Sequence, residues 1–97
     1  MFNSKEITYI SRDLMADKRL SIGAKYLFSI IDEKCYLDNK ETIHMSNKEA
    51  MEELAIKSTT TLMKVKKELT DNGFIKIETK KNKVYYTPAF SYLKGDK

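Results

Sequence analysis

Between Leu54 and Ser58 the chain has only Ala55, Ile56 and Lys57 in which to end one helix and begin another. The helix before this break is announced by a capping box. Ser46 can accept from the backbone N–H of Glu49, and the Glu49 carboxylate can accept in return from Ser46. Ala50, Met51 and Leu54 then recur on its inner side, Ile56 closes the turn, and Glu52 and Glu53 point outward. The helix after the break has Ser58 as its cap and is expected over residues 59–72. At about 100° per residue, Leu62, Val65 and Leu69 fall within about 60° of one another and form its apolar stripe. Two short helices joined by so tight a turn, the second the more basic, make a helix-turn-helix pattern.

Asn72-Gly73 ends the second helix, because glycine enters the left-handed region without a steric cost. Residues 74–79 alternate, with Ile75 and Ile77 on one face and Lys76 and Glu78 on the other. Residues 84–87 supply the return strand. Lys80, Lys81, Asn82 and Lys83 lie at the tip, where asparagine suits a tight turn. Pro88 stops the sheet, and residues 89–93 are expected to pack Phe90 and Tyr92 back on the fold.

Upstream, Ser21 is a strong cap for a longer helix over residues 22–36. Ala24, Leu27, Phe28, Ile31 and Cys35 recur along it at helical spacing. Tyr26 and Ile30 form a second apolar edge, read first as core contact with an N-terminal arm and second as a dimer surface. Asp38-Asn39-Lys40 is a turn. Residues 41–45 alternate, with Ile43 and Met45 on one side and Thr42 and His44 on the other, as in a short strand. Residues 3–10 read as an extended arm anchored by Ile7, Tyr9 and Ile10, and Ser11 caps a short helical turn carrying Leu14 and Met15.

The expected fold class is therefore α+β. It is a winged helix-turn-helix with three main helices, a small antiparallel sheet and a C-terminal β-hairpin wing, plus a short N-terminal strand and helix. An arm and short helix over residues 1–20 pack on a domain over residues 21–93, and residues 94–97 form a frayed tail.

Composition narrows the function. With 97 residues and 41% apolar side chains, the chain can bury one modest core. No apolar run approaches the roughly 20 residues that span a bilayer, so no membrane partner is expected. Glu6 argues against a signal peptide. Cys35 is the single cysteine, cannot close an internal disulfide and fits a reducing cytoplasm. On the buried stripe it should be inert. One histidine and one cysteine cannot make a zinc site of the usual ligands, and neither a metal nor a cofactor is expected. His44 has no second ligand near it in sequence. No P-loop, G-x-S-x-G or H-E-x-x-H is present, so no catalytic residues and no enzyme activity are expected.

Charge is placed unevenly. Residues 1–56 carry 8 basic and 10 acidic side chains, whereas residues 57–83 carry 8 lysines against only Glu68, Asp71 and Glu78. A polyanion would meet this second stretch. On its helix, Thr60, Met63, Lys64, Lys67 and Asp71 lie opposite the apolar stripe. Hydroxyls and ammonium groups near a helix N-terminus suit phosphate and base-edge contacts in the major groove of DNA. The candidate DNA-binding residues are Ser58, Thr59, Thr60, Met63, Lys64 and Lys67 on the helix, with Lys80, Lys81, Asn82 and Lys83 on the wing. Lys66 lies only about 40° from Leu62 and is expected to flank the stripe with its head in solvent.

The run SNKEAMEELAIKSTTTLMKVKKELTDNGFIKIETKKNKVYY resembles the general bacterial winged-helix pattern, through Ser58, Leu69, Gly73, Phe74 and Ile75. Residues 7–31, ITYISRDLMADKRLSIGAKYLFSII, resemble the opening of the RepA_N replication initiators of plasmids in low-GC Gram-positive bacteria. Leu20, Ser21, Ala24 and Lys25, with the aromatic and aliphatic run after them, carry that likeness. The resemblance implies a dimerising winged-helix domain that binds repeated sites in a plasmid origin, with DNA contacts at Thr59, Thr60, Met63, Lys64 and Lys67. The expected function is sequence-specific binding of double-stranded DNA, as all or part of a plasmid or mobile-element replication initiator in the cytoplasm. Expected partners are duplex DNA, a second copy through the arm or the Tyr26/Ile30 edge, and a host replication protein. A small transcriptional regulator would carry the same residues, since fold does not fix function. A third reading is an accessory winged helix that binds a replication protein, or a single strand through bases stacked on Tyr85, Tyr86 and Tyr92.

Overall fold

The computed structural model describes residues 12–91. The expected arm over residues 3–10, its neighbour Ser11, Tyr92 and the tail lie outside the described residues. The elements in order are α1 (Arg12–Ala16), α2 (Ile22–Asp38), β1 (Ile43–His44), α3 (Asn47–Leu54), α4 (Thr59–Asp71), β2 (Ile75–Lys80) and β3 (Lys83–Pro88). Three main helices pack with a three-stranded antiparallel sheet in the order β1-β3-β2, a topology consistent with a winged helix.

α2 is the post on which the rest is hung, touching α1, α3, α4, β1 and β3. Ser21 caps it by accepting from the Ala24 N–H at 3.3 Å. Asn39, left-handed at φ 55°, ends it and donates its N–H to the carbonyls of Cys35 and Tyr36. The helix thus runs two residues past its expected end, to the residue best able to take the left-handed cap. Its expected stripe is buried, but so are Lys25, Ser29, Ile30 and Asp32, because neighbours cover more than one side. Lys25 Nζ donates to the Met15 carbonyl at 2.5 Å, and Asp32 accepts from the Ser91 hydroxyl at 2.6 Å. Ile30 lies in the core, and Tyr26, half-buried, packs against it.

The sheet is short because its strands are cut by turns and, at the end of β3, by Pro88. Ile43 lies opposite Tyr86, and Tyr86 lies opposite Ile77, so one line of apolar side chains crosses all three strands. On the other face, His44 packs its ring 5.5 Å from that of Tyr85 and donates from Nδ1 to the Val84 carbonyl. His44 is thus the surface strand residue it was expected to be. β2 starts one residue later than the alternation implies. Gly73 (φ 76°) turns the chain, and Phe74 spends its N–H on the Leu69 carbonyl at 2.8 Å before pairing begins. Pro88 is the last strand residue, opposite Ile75. Phe74 meets Phe28 edge-on at 5.7 Å, and Phe90 closes over both at 5.3 and 5.5 Å. Among the described residues no helix is long and apolar enough to cross a membrane.

Candidate nucleic-acid interface

α3 and α4 meet across residues 55–58. The capping box forms as its residues demand: Glu49 N–H donates to Ser46 Oγ at 3.1 Å, and Ser46 N–H donates to Glu49 Oε1 at 2.9 Å. That second bond holds the Glu49 carboxyl below its ordinary pKa. Ala55 ends α3 in the left-handed conformation (φ 57°), where glycine would be unstrained. Ser58 then opens α4 by accepting from the Thr61 N–H at 3.3 Å.

Three contacts hold α4 in place. Leu62, Val65 and Leu69 are buried against the core, as expected. Gly23 on α2 lets the helices approach, since a Cβ there would come within 3.2 Å of Val65 Cγ2. Ser21 Oγ also donates to Glu68 Oε1 at 2.6 Å, tying the start of α2 to the last turns of α4. The third contact corrects an expectation. Lys66 does not carry its head into solvent: it is 8% exposed, and Nζ donates to Asn47 Oδ1 at 2.5 Å. The ammonium also lies 5.2 Å from the centre of the Tyr86 ring. Burial lowers the Lys66 pKa from the ordinary lysine value, and it pushes the Tyr86 phenol up to about 12. Lys66 therefore pins the first turn of α3 to the middle of α4 and fixes the angle between them.

With its inner face so held, α4 presents Thr59, Thr60, Met63, Lys64 and Lys67 outward. Met63 is 45% exposed. Lys67 is paired with Asp71 across one turn at 3.1 Å, whereas Lys64 has no acidic partner among the described residues. The Ser58 hydroxyl serves the cap and retains a proton to donate.

The hairpin carries the second set of lysines. Lys81 (φ 51°) and Asn82 (φ 68°) form a two-residue turn of the left-handed kind that matches strand twist. Lys80 and Lys83 face each other just below it. Glu78 lies 3.9 Å from both Lys76 and Lys80 and partly neutralises them. Lys81 and Lys83 have no acidic partner among the described residues. The structure thus forms two basic surfaces, one on α4 and one at the hairpin tip.

Two residues that pattern reading left out of the site lie beside it. Lys48 and Lys57 flank an apolar groove of Met51, Ala55 and Ile56 that reaches Thr59. Lys57 stands immediately before the cap, and that position was the available signal. Tyr86 is fully buried, so it offers no ring to a single strand, and Tyr85 is half-buried against His44. Among the described residues no group of three or more His, Cys, Asp or Glu side chains is placed to hold a metal ion. The molecule is thus a small α+β domain with one cluster of basic side chains on a helix and another on a hairpin. Comparison with protein-family models, with curated proteins and with solved structures finds no match to the chain.

Proposed function

We propose that this chain is a winged helix-turn-helix protein that binds double-stranded DNA in a sequence-specific way. α4 lies in the major groove, and the β2–β3 hairpin reaches the flanking backbone and minor groove as a wing. The observation that carries this reading is the exposed face of α4. Thr60, Met63 and Lys64, unpaired among the described residues, face outward on a helix whose other side is fixed by packing, by Glu68 and by Lys66. The hairpin supports it, because Lys81 and Lys83 repel one another unless a polyanion lies between them. The resemblance of residues 7–31 to RepA_N initiators supports an origin as the target, with replication initiation on a plasmid or mobile element as the role.

A random duplex library selected with the protein at two salt concentrations tests this. If about six lysines meet phosphates, the log–log slope of affinity against salt is near −5. Lys64→Ala should weaken binding more than Lys40→Ala, which removes a charge between α2 and β1. Absence of both enrichment and salt dependence would overturn the proposal. The location of the enriched sequence, within an origin or at a promoter, assigns the role.

A further inference from the structure

We infer that the duplex is read through thymine 5-methyl groups, contacted in the major groove by Thr60 and Met63, so that bound sites are rich in A·T pairs. This rests on the duplex-binding reading above and names what the α4 face recognises.

The side chains of α4 decide the matter by their chemistry. Guanine is read best by the forked guanidinium of arginine, and adenine by the paired donor and acceptor of asparagine or glutamine. α4 contains none of these: its sequence is TTTLMKVKKELTD. The arginines of the chain are Arg12 and Arg19, neither of them on α4 or the hairpin. Arg19 is occupied, with its guanidinium paired to Asp17 at 2.6 Å and stacked 4.9 Å from the Phe74 ring.

Beside its hydroxyls and ammonium groups, α4 exposes apolar surface. Met63 is nearly half exposed while Leu62 and Val65 on either side of it are buried. Thr60, one turn earlier on the same side, adds a γ-methyl group beside its hydroxyl. The thymine methyl is the one apolar feature on any base edge of the major groove. Lys64 supplies one mobile ammonium on a flexible stem, which suits a phosphate and lacks the rigid fork that holds arginine flat against a guanine edge. The hairpin lysines act in the same direction, because the narrow minor groove of A·T tracts concentrates negative potential.

The test uses the full chain and the duplexes enriched from the random library. Each is remade with deoxyuridine in place of thymine, one position at a time, which removes a methyl group and nothing else. Affinity should fall about fourfold at each contacted position, and at no fewer than two positions. Thr60→Ser keeps the hydroxyl and removes the side-chain methyl, so it should erase the difference at one position. Met63→Ala should erase it at another. Lys64→Ala should weaken thymine and uracil duplexes alike and leave their ratio unchanged. Equal affinity for thymine and uracil at every position, or enrichment of G·C-rich duplexes, would overturn methyl reading and leave duplex binding standing. Enrichment of no duplex at all would overturn both.

Discussion

Tyr86 is the largest fully buried side chain among the described residues, yet its hydroxyl has no hydrogen-bond partner there. Tyr86→Phe removes that oxygen alone. The ring stays between Ile43 and Ile77, and the Lys66 ammonium keeps its place 5.2 Å from the ring centre. A buried hydroxyl left unpaired costs about 1–3 kcal/mol, less the small packing contribution of the oxygen itself. The variant should therefore be more stable by about 1 kcal/mol, equivalent to about 4–8 °C in Tm for a domain of this size. Urea unfolding followed by far-ultraviolet circular dichroism should show a higher midpoint with an unchanged slope. Alkaline pH supplies a second readout. Burial pushes the phenol up to about 12, against 10.0 for the ordinary group. Above the ordinary value the unfolded chain loses this proton while the folded chain keeps it, so the unfolded state binds fewer protons and stability falls with rising pH. That loss should run from about pH 10 to about pH 12 in the parent and be missing from Tyr86→Phe. A variant less stable than the parent, or one with an undiminished alkaline loss, would refute the reasoning.

Lys66→Met keeps the aliphatic stem and removes a charge that burial disfavours. At pH 7 it should match the parent or exceed it by about 1 kcal/mol. The parent should gain stability as pH rises from the lowered Lys66 pKa toward 10.5, because the folded state releases its proton first, and the variant should lack that gain. A urea titration across that range checks both points. Glu68→Ala strips the acceptor from Ser21 and should cost about 1–2 kcal/mol in the same assay, whereas Glu68→Gln, which keeps an acceptor, should cost less. Glu78→Gln removes the charge shared by Lys76 and Lys80. It should tighten duplex binding and steepen the salt slope by about one, measured by fluorescence anisotropy at several salt concentrations.

Local chemistry was legible in the sequence, and distant chemistry was not. Ser21, Ser46 and Ser58 each cap a helix as read, because a cap needs only the next three residues. The alternation of Ile75 and Ile77 and the Asn82 turn likewise needed nothing outside the hairpin. The burial of Lys25, Asp32 and Lys66 escaped, since their partners Met15, Ser91 and Asn47 lie 10, 59 and 19 residues away. On a helical wheel Lys66 is a flank residue. Only the arrival of α3 and of Tyr86 encloses it. Ala55 escaped for another reason. It shows no turn signature, and it takes a left-handed φ because packing of Leu54 and Ile56 on both sides forces the chain to reverse there. On the candidate site, pattern placed Lys64 and Lys67 on the exposed face where the structure has them, but it could not tell Lys64, unpaired among the described residues, from Lys67, which is held by Asp71.

Lys81 at the hairpin tip is where a lysine kept for a ligand can be told by experiment from one that protects an edge. A two-residue turn with both residues left-handed is unstrained for glycine and easy for asparagine, but a lysine there costs about 1–2 kcal/mol. Lys81 occupies the first of these positions at φ 51°. Asn-Gly in the turn would make the hairpin more stable, and Lys76 and Lys80 already line the edge strand β2 against pairing with another chain. Under the proposed function, a contact with the duplex offsets the strain at Lys81. In the wing reading, its ammonium stands at the point of the hairpin that travels furthest into the duplex. Lys81→Asn keeps the turn and removes the charge. It should stabilise the fold by about 0.5–1 kcal/mol in urea and at the same time weaken duplex binding, with a salt slope shallower by about 0.9. Opposite movements in the two assays are the signature of a lysine kept for its ligand. A variant that gains stability with unchanged affinity and salt slope would make Lys81 an edge guard and take the wing out of the interface.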